Sequence, residues 1–501
     1  MRTITPSFIL EMPLKTTPAQ ESMILICLDA GRQLYNACLD ECLKRLTLLR
    51  QSKKYQKIIK LPKGEKRTKV FNNLNREFGF TEYDIHHYAA KIRKSWIREH
   101  INIHIAQKIA TRAFKAVQKK ALRKAKNVRF KGKNQFDTLE GKNNQTGLIF
   151  RNNILYWSDL QIPCIINEND EVIAYGLKPE HKIKYCRIVR RKINSKNRFY
   201  LQLILEGKPY QKPKNKIGNE EIGLDVGPST IAIVGDTKAE LKRFCSDLLP
   251  KQKEKRKLQR KMDRQIRANN PENYNVNGTV KKGKKEWKRS NRYQKTSSKV
   301  VELDRKIAAH RKSLHGKDIN KIIAIGTKIK AEKIPYKSWQ KNFGKSVQTR
   351  APSMFMSRLK TKAENAGGYL IEFPTNSTKL SQVCHICGNE VKKPLIQRWH
   401  ICCGIEMQRD LYSAFLSKCV DVNTNSLDIA RAKLLWPGLE PVLSEAISRV
   451  IQSASSSKAP ASFGLGYQRQ SGSPVKPEAT VTEAMDDVIR KDEDESYGEV
   501  T

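Results

Sequence analysis

The sequence predicts a multidomain α/β protein, with strands flanking a helical insertion in the N-terminal half and a mixed α/β sheet in the C-terminal half. Three observations lead there. At 501 residues the chain is too long for one ordinary core. Its apolar pattern switches in blocks between a period of two and a helical period. A Cys-x-x-Cys pair, Cys384 and Cys387, is followed by adjacent Cys402 and Cys403, which breaks the last succession of strand and helix with a small zinc-ribbon pattern.

The first seventeen residues, β-branched and ending in prolines, read as one edge strand. From about residue 19 an apolar stripe through Leu28, Leu34, Tyr35, Cys38, Cys42 and Leu46 marks a helix. A lysine-rich stretch with Pro62 and Gly64 interrupts it. Helical spacing returns over 81–126 through Tyr88, Ile92, Trp96, Ile101, Ile105, Ile109 and Phe114. That segment ends in a dense cationic face, Lys119, Lys120, Arg123 and Lys124, continued by Arg129 and Lys131. A solvated helix face is the simplest reading of such a run, but no acids are interleaved for pairing along the helix, so contact with phosphates is the better one.

Strands follow over about 136–208. One hairpin turns at Asn152-Asn153. A basic two-stranded ribbon of the kind found in small β-barrels turns at 194–197. A Pro/Lys-rich connector, 207–216, closes this half. Residues 221–236 then give two strands separated by Gly-Pro-Ser, and Arg243–Leu248 offers a third. A very basic helical region over 251–316 is broken at 269–279. A short helix (318–326), a strand (327–334), a helix (353–366) and a strand (369–373) lead into the cysteine stretch. The end of the chain is Ser/Ala/Pro-rich and then acidic, a composition that predicts disorder.

A net charge of +46 calls for a polyanion, and nucleic acid fits it best. The N-terminus lacks an apolar signal core and no apolar run approaches membrane-spanning length, which argues against a membrane role. Eleven scattered cysteines suit reduced thiols in a cytoplasmic setting.

Three carboxylates stand out. Asp225 sits in the apolar strand Ile222–Val226, where an unpartnered charge costs several kcal/mol. Glu332 ends a later strand and shares a face with Lys328 and Lys330, so a surface ion pair is its simplest account. Asp410 opens the helix after the cysteines, where the helix dipole favours an acid. Converging on one end of a sheet, the three would hold two Mg²⁺ about 3.5–4 Å apart, the arrangement of phosphodiester hydrolysis.

Gly223–Ala232, Ala331-Glu332-Lys333 and the cysteine ribbon running into Arg409-Asp410 resemble the three RuvC segments of the TnpB family, the RNA-guided nucleases of bacterial insertion sequences, which are similar to miniature type V CRISPR effectors. The Leu34-Tyr35-Asn36 run and the stretch 337–368 share the likeness. The resemblance implies an oligonucleotide-binding-like wedge β-barrel (1–18 and 127–215) with an inserted helical recognition lobe (19–126). It further implies an RNase H-like RuvC domain (216–377 and 407–435), an inserted zinc ribbon (378–406) and a disordered tail (436–501). It implies Asp225, Glu332 and Asp410 as Mg²⁺-binding catalytic residues, a guide RNA and target double-stranded DNA as partners, and a prokaryotic, cytoplasmic, nucleoid-associated protein of open oligomeric state. The alternatives are a nuclease-silent RNA-guided repressor and an RNA-independent RNase H-like transposase. Two departures stand out: Gln408 replaces an acid common in relatives, and Cys402 and Cys403 are adjacent. Zinc therefore has either Cys384, Cys387, Cys402 and Cys403 as ligands, or His400 in place of Cys402.

Overall fold

The computed structural model describes residues 5–394, 396–454 and 463–464. The chain forms two compact units that divide between Gln211 and Lys212, inside the Pro/Lys-rich connector. Among the described residues no helix is long and apolar enough to cross a membrane.

The first unit runs β1 (Ser7–Pro13), α1 (Pro18–Gln51), α2 (Lys53–Ile58), α3 (Glu65–Glu77), α4 (Glu82–Arg93), α5 (Ile103–Ala121), β2 (Thr138–Glu140), β3 (Leu148–Arg151), β4 (Ile154–Trp157), β5 (Leu160–Pro163), α6 (Glu171–Gly176), β6 (Ile183–Ile193) and β7 (Lys196–Glu206). A capping box starts α1: the Thr17 hydroxyl accepts from the Gln20 amide and the Gln20 side chain accepts from the Thr17 amide. The stripe read from the sequence is buried, from Leu28 to Leu46. Trp96 is a correction: it is 47% exposed, because the helical run breaks into a short 3₁₀ turn before α5.

The expected barrel is also corrected. The described strands form an antiparallel sheet β1-β7-β6-β2 and a separate meander β3-β4-β5, with no closed ring. Asn144 explains the gap beside β3. Its side chain accepts from the Phe150 amide at 2.8 Å and donates to the Phe150 carbonyl at 3.1 Å, replacing a strand partner. The other seam narrows to a single bridge, Leu14 to Cys164.

The second unit runs β8 (Glu221–Val226), β9 (Thr230–Val234), β10 (Ala239–Arg243), α7 (Leu249–Asn269), α8 (Asn291–Ile325), β11 (Lys328–Glu332), α9 (Tyr336–Arg350), α10 (Pro352–Asn365), β12 (Tyr369–Phe373), α11 (Thr375–Thr378), β13 (Trp399–Cys402), β14 (Ile405–Gln408), α12 (Arg409–Lys418), β15 (Val420–Asp421), β16 (Ser426–Leu427) and α13 (Ile429–Ala454). Its main sheet has the order β10-β9-β8-β11-β12. The first three strands are antiparallel, while β8, β11 and β12 are parallel neighbours. Alternation along β8 sends Ile222, Leu224 and Val226 into a core with Ile319, Ile322, Phe355 and Leu359 of α8 and α10. The opposite face of the sheet packs Ala232, Val234 and Leu241 with Leu411 and Phe415 of α12 and Leu443 of α13.

Two expectations fail here. The third strand is Ala239–Arg243 rather than 243–248, because Cys245 takes a left-handed conformation and turns the chain out of the sheet. The segment from residue 436 is not tail: α13 continues to Ala454, burying Trp436, Leu439, Leu443 and Ala446 at helical spacing despite Pro437 and Pro441. The disorder expected for 455–462 and 465–501 lies outside the described residues.

Gly223 permits the packing of α12 on the sheet. A Cβ there would lie 1.8 Å from the Ala414 carbonyl oxygen. Gly223→Ala should therefore destabilise the second unit by about 3 kcal/mol or more, read by urea unfolding of the full chain. Gly344→Ala, which meets nothing within 4 Å, should be close to neutral. Equal effects would show that the close approach of α12 is not a constraint.

Candidate functional site

Three elements bring the three acids near one another, so that Asp225 feels the charges of Asp410 and Glu332. Their oxygens do not close into a group as tight as that of the four cysteine thiols. Asp225 lies on β8, on the face opposite its three buried apolar residues. Parallel pairing sets Lys330 against Gly223 and Ala331 against Leu224. The next step along β11 is Glu332, which puts its carboxylate beside Asp225. The third acid comes from α12, where Asp410 stands in the first turn and is 8% exposed. Gln408 caps this helix, its side-chain oxygen accepting from the Leu411 amide at 2.9 Å.

Asp410 and Glu332 each have their own protein donors. The Thr230 hydroxyl donates to Asp410 Oδ2 at 3.1 Å. Ser413, one turn into α12, stands beside Asp225 and favours its charged form. Glu332 Oε1 accepts from the Thr378 hydroxyl at 3.3 Å and from the Leu380 amide at 3.4 Å. Cations balance the group only in part, since Arg409 Nε stands 3.9 Å from Asp410 Oδ1. The half-buried Arg398 guanidinium is pushed down by burial and drawn back up by Asp410 and Asp225.

Lys330 does not pair with Glu332. Its side chain is buried, reaches Glu221 at 2.7 Å, and donates to the carbonyls of Lys418 (3.1 Å) and Val420 (2.9 Å). A buried cation thus sits at the C-terminal end of α12 and an acid at its N-terminal end, as the helix dipole favours. Lys418 itself donates to the Glu221 carbonyl at 2.9 Å and pairs with Asp236.

Burial raises Asp225 well above the ordinary carboxylate range, and the charges of Asp410 and Glu332 push it further. Burial likewise raises Glu332, against its two donors.

The four cysteines form a tighter group. The Sγ atoms of Cys384, Cys387, Cys402 and Cys403 all lie within 4.8 Å of one another, the one such cluster of three or more His, Cys, Asp or Glu donors among the described residues. The Cys387–Cys402 and Cys402–Cys403 sulfur separations are 3.7 and 3.6 Å. Ligands on a tetrahedron with 2.3 Å bonds stand about 3.8 Å apart, so the site fits zinc. Adjacent cysteines can both point inward because Cys403 (φ 51°) and Gly404 (φ 78°) make a left-handed turn between β13 and β14. The backbone amide of Asn389 and the neighbouring thiols draw Cys387 down to about 7. His400 lies outside the group. Its ring stacks on Tyr412 at 4.0 Å and its Nδ1 meets Lys393 Nζ at 2.6 Å.

The six basic residues singled out in the first unit lie at the end of α5 and in the extended chain beyond it. Lys119, Arg123, Lys124 and Arg129 are exposed, Lys120 and Lys131 half-buried. Asn36 holds that extended chain in place: it accepts from the Lys131 amide at 2.8 Å and donates to its carbonyl at 2.9 Å. Tyr336 and Trp339 pack against the core of the second unit. Sequence reasoning missed Thr230, Ser413, Thr378 and Arg398. The first three are small hydroxyl residues whose type carries no chemical signal in the sequence, even for Thr230 within the Gly223–Ala232 stretch, and only the proximity of the acids distinguishes them.

A family model described as Cas12f1-like, TNB domain, matches residues 353–416, from α10 through the cysteine hairpin into α12. No curated protein matches the chain. Among solved structures the chain is similar to a Cas12f1–sgRNA–target DNA complex, at 11% identity and a TM-score of 0.39, covering 83% of this chain and 98% of that one. It is also similar to a CRISPR-Cas12f ternary complex, at 14% identity and a TM-score of 0.27, covering 79% and 81%.

The raised Asp225 and Glu332 predict a pH effect. The folded protein keeps protons on these groups that the unfolded chain releases, so their contribution to stability is lost as pH rises from the ordinary carboxylate range through the raised values. In Mg²⁺-free buffer the melting temperature should fall across that window, and Asp225→Asn should flatten the fall. An identical slope in the variant would contradict this reading of the acid cluster.

Proposed function

We propose that the chain is an RNA-guided DNA endonuclease of the kind formed by TnpB and the miniature type V effectors, acting through a RuvC-type Asp225–Glu332–Asp410 site. One observation carries the proposal: two acids on neighbouring parallel strands lie near a third that opens the helix crossing them, close enough for Asp225 to feel both charges. Three antiparallel strands followed by two parallel ones is the order of an RNase H-like sheet. The family-model match over 353–416 supports the same reading.

The donor set suits Mg²⁺: hard carboxylate oxygens, with Asp225 raised by burial and then by the charges of its two neighbours, would be relieved by a divalent cation. Bound there, Mg²⁺ would supply Lewis-acid stabilisation of the attacking and leaving oxygens of a phosphodiester. The protein's part is to fix the carboxylates. Thr230 and Thr378 orient Asp410 and Glu332, Ser413 stands beside Asp225, Gln408 caps the helix that carries Asp410, and Arg398 and Arg409 add positive charge beside the acids. Cys384, Cys387, Cys402 and Cys403 would hold structural zinc, so that the β13–β14 hairpin feeds α12 at a fixed angle.

The guide would read sequence by base pairing while protein contacts hold the phosphate backbones. Lys119, Lys120, Arg123, Lys124, Arg129 and Lys131 are placed to serve that second role, and none of them forms an ion pair among the described residues. The protein would work in the cytoplasm of a prokaryote carrying the parent transposon.

Two experiments test this. RNA that copurifies with the protein should be a defined transcript, and the complex should cut a matching plasmid only with Mg²⁺. Asp225→Ala, Glu332→Ala and Asp410→Ala should each abolish cutting while retaining the RNA. Cutting at the wild-type rate by any of the three would remove that residue from the site, and absence of a defined RNA would favour an RNA-independent transposase. Chelating zinc, verified by metal analysis, should lower the melting temperature of the second unit, because a closed metal site contributes directly to folding. An unchanged melting curve after zinc loss would contradict the structural role.

A further inference from the structure

We infer that Thr230 is a positioning residue for the cation site, acting through Asp410; the inference rests on the reading of the three acids as metal ligands. Thr230 is the first residue of β9 and is 4% exposed. Its hydroxyl donates to Asp410 Oδ2 at 3.1 Å, across from one element to another that packs on it. A buried threonine commonly satisfies itself on a nearby carbonyl. Here the acceptor is instead an acid that belongs to a mutually repelling group of three.

The local backbone is built to hold this hydroxyl. The Gly227 amide donates to the Thr230 carbonyl at 2.9 Å, closing a tight turn over Pro228 and Ser229. A Cβ on Gly227 would lie 2.7 Å from Thr230 Oγ1, so only glycine leaves the hydroxyl its place. The turn is pinned from outside as well. The Phe244 amide donates to the Ser229 carbonyl at 2.8 Å, and the Ser346 hydroxyl donates to the Pro228 carbonyl at 2.5 Å. The Gly-Pro-Ser-Thr run that separates the first two strands of the sheet is thus more than a connection, since it delivers a donor to the acid on the last helix.

The consequence concerns which oxygen of Asp410 is free. With Oδ2 tied to Thr230, the carboxylate rotor is fixed and Oδ1 is left facing the partly compensating Arg409 at 3.9 Å. Glu332 shows the same arrangement, with both of its donors on Oε1. Without the hydroxyl, Asp410 would have to order itself when the cation binds. Removing a group that orients a metal ligand in this way typically weakens metal binding about 10- to 100-fold.

The test uses the zinc-loaded full chain and Mn²⁺, which takes the same oxygen donors and is followed by its own paramagnetic resonance signal. Equivalents that disappear in Asp410→Ala define the site. Thr230→Val, which keeps the shape and removes the hydroxyl, should weaken Mn²⁺ at that site about 10- to 100-fold. Thr230→Ser, which keeps the hydroxyl, should stay within about threefold of the wild type, well inside that range. Melting without added divalent cation separates positioning from folding, because the predicted loss of affinity occurs in a variant that still melts cooperatively. If Thr230→Val does not fold, Thr230→Ala takes its place, having the smaller side chain and the same missing hydroxyl. Wild-type Mn²⁺ affinity in a folded, hydroxyl-free variant would overturn the inference while leaving the nuclease reading intact. Wild-type Mn²⁺ binding in Asp410→Ala would instead overturn the reading on which it rests.

Discussion

The second unit depends on one close contact, that of α12 with β8 across Gly223. A helix rarely comes near enough to a strand for a carbonyl oxygen to occupy the place of a side chain, yet the Ala414 carbonyl does so here. Glycine removes the obstacle, and charge fixes the direction. Lys330 reaches from the sheet to the carbonyls that end α12, while Asp410 occupies its first turn. The helix is therefore held at its C-terminal end by a buried lysine and delivers an acid at the other, where two strands already carry theirs.

That delivery needs a fixed entry as well as a fixed exit. The β13–β14 hairpin leads directly into α12, with Gln408 as both the last residue of the hairpin and the cap of the helix. The thiol cluster closes the far end of the hairpin, and the Arg409 amide bonds back to the Arg398 carbonyl at 2.8 Å. The ring of His400 lies against Tyr412, a core residue of α12. A metal at the thiols and a metal at the acids would thus serve one structure: the first sets the hairpin, the hairpin sets the helix, and the helix sets a ligand of the second.

Much of this was legible in the sequence because it rests on local pattern. The strand around Asp225, the strand ending at Glu332 and the helix opening at Asp410 each follow from apolar spacing, and at Asp225 a charge set among apolar residues marks the site as well. The adjacent cysteines left two zinc sets open, and what separates them is backbone conformation: the left-handed turn at Cys403-Gly404 that lets neighbours converge and leaves His400 to the core. Alternation puts Lys330 beside Glu332 on one face but does not show that α12 covers that face and buries the lysine. The open sheet of the first unit was hidden for a similar reason, since a side chain, Asn144, stands in for a strand. The helix beyond residue 436 was obscured by two prolines, although its apolar spacing persists through them.

The central claim is that sheet and helix bring Asp225, Glu332 and Asp410 to a common cation site. Anomalous diffraction from crystals of the protein soaked in Mn²⁺ tests it most directly. The account predicts anomalous density bounded by the three carboxylates, with Asp410 Oδ2 still turned to Thr230. Manganese bound elsewhere, with the space between the three acids empty at saturating metal, would contradict it.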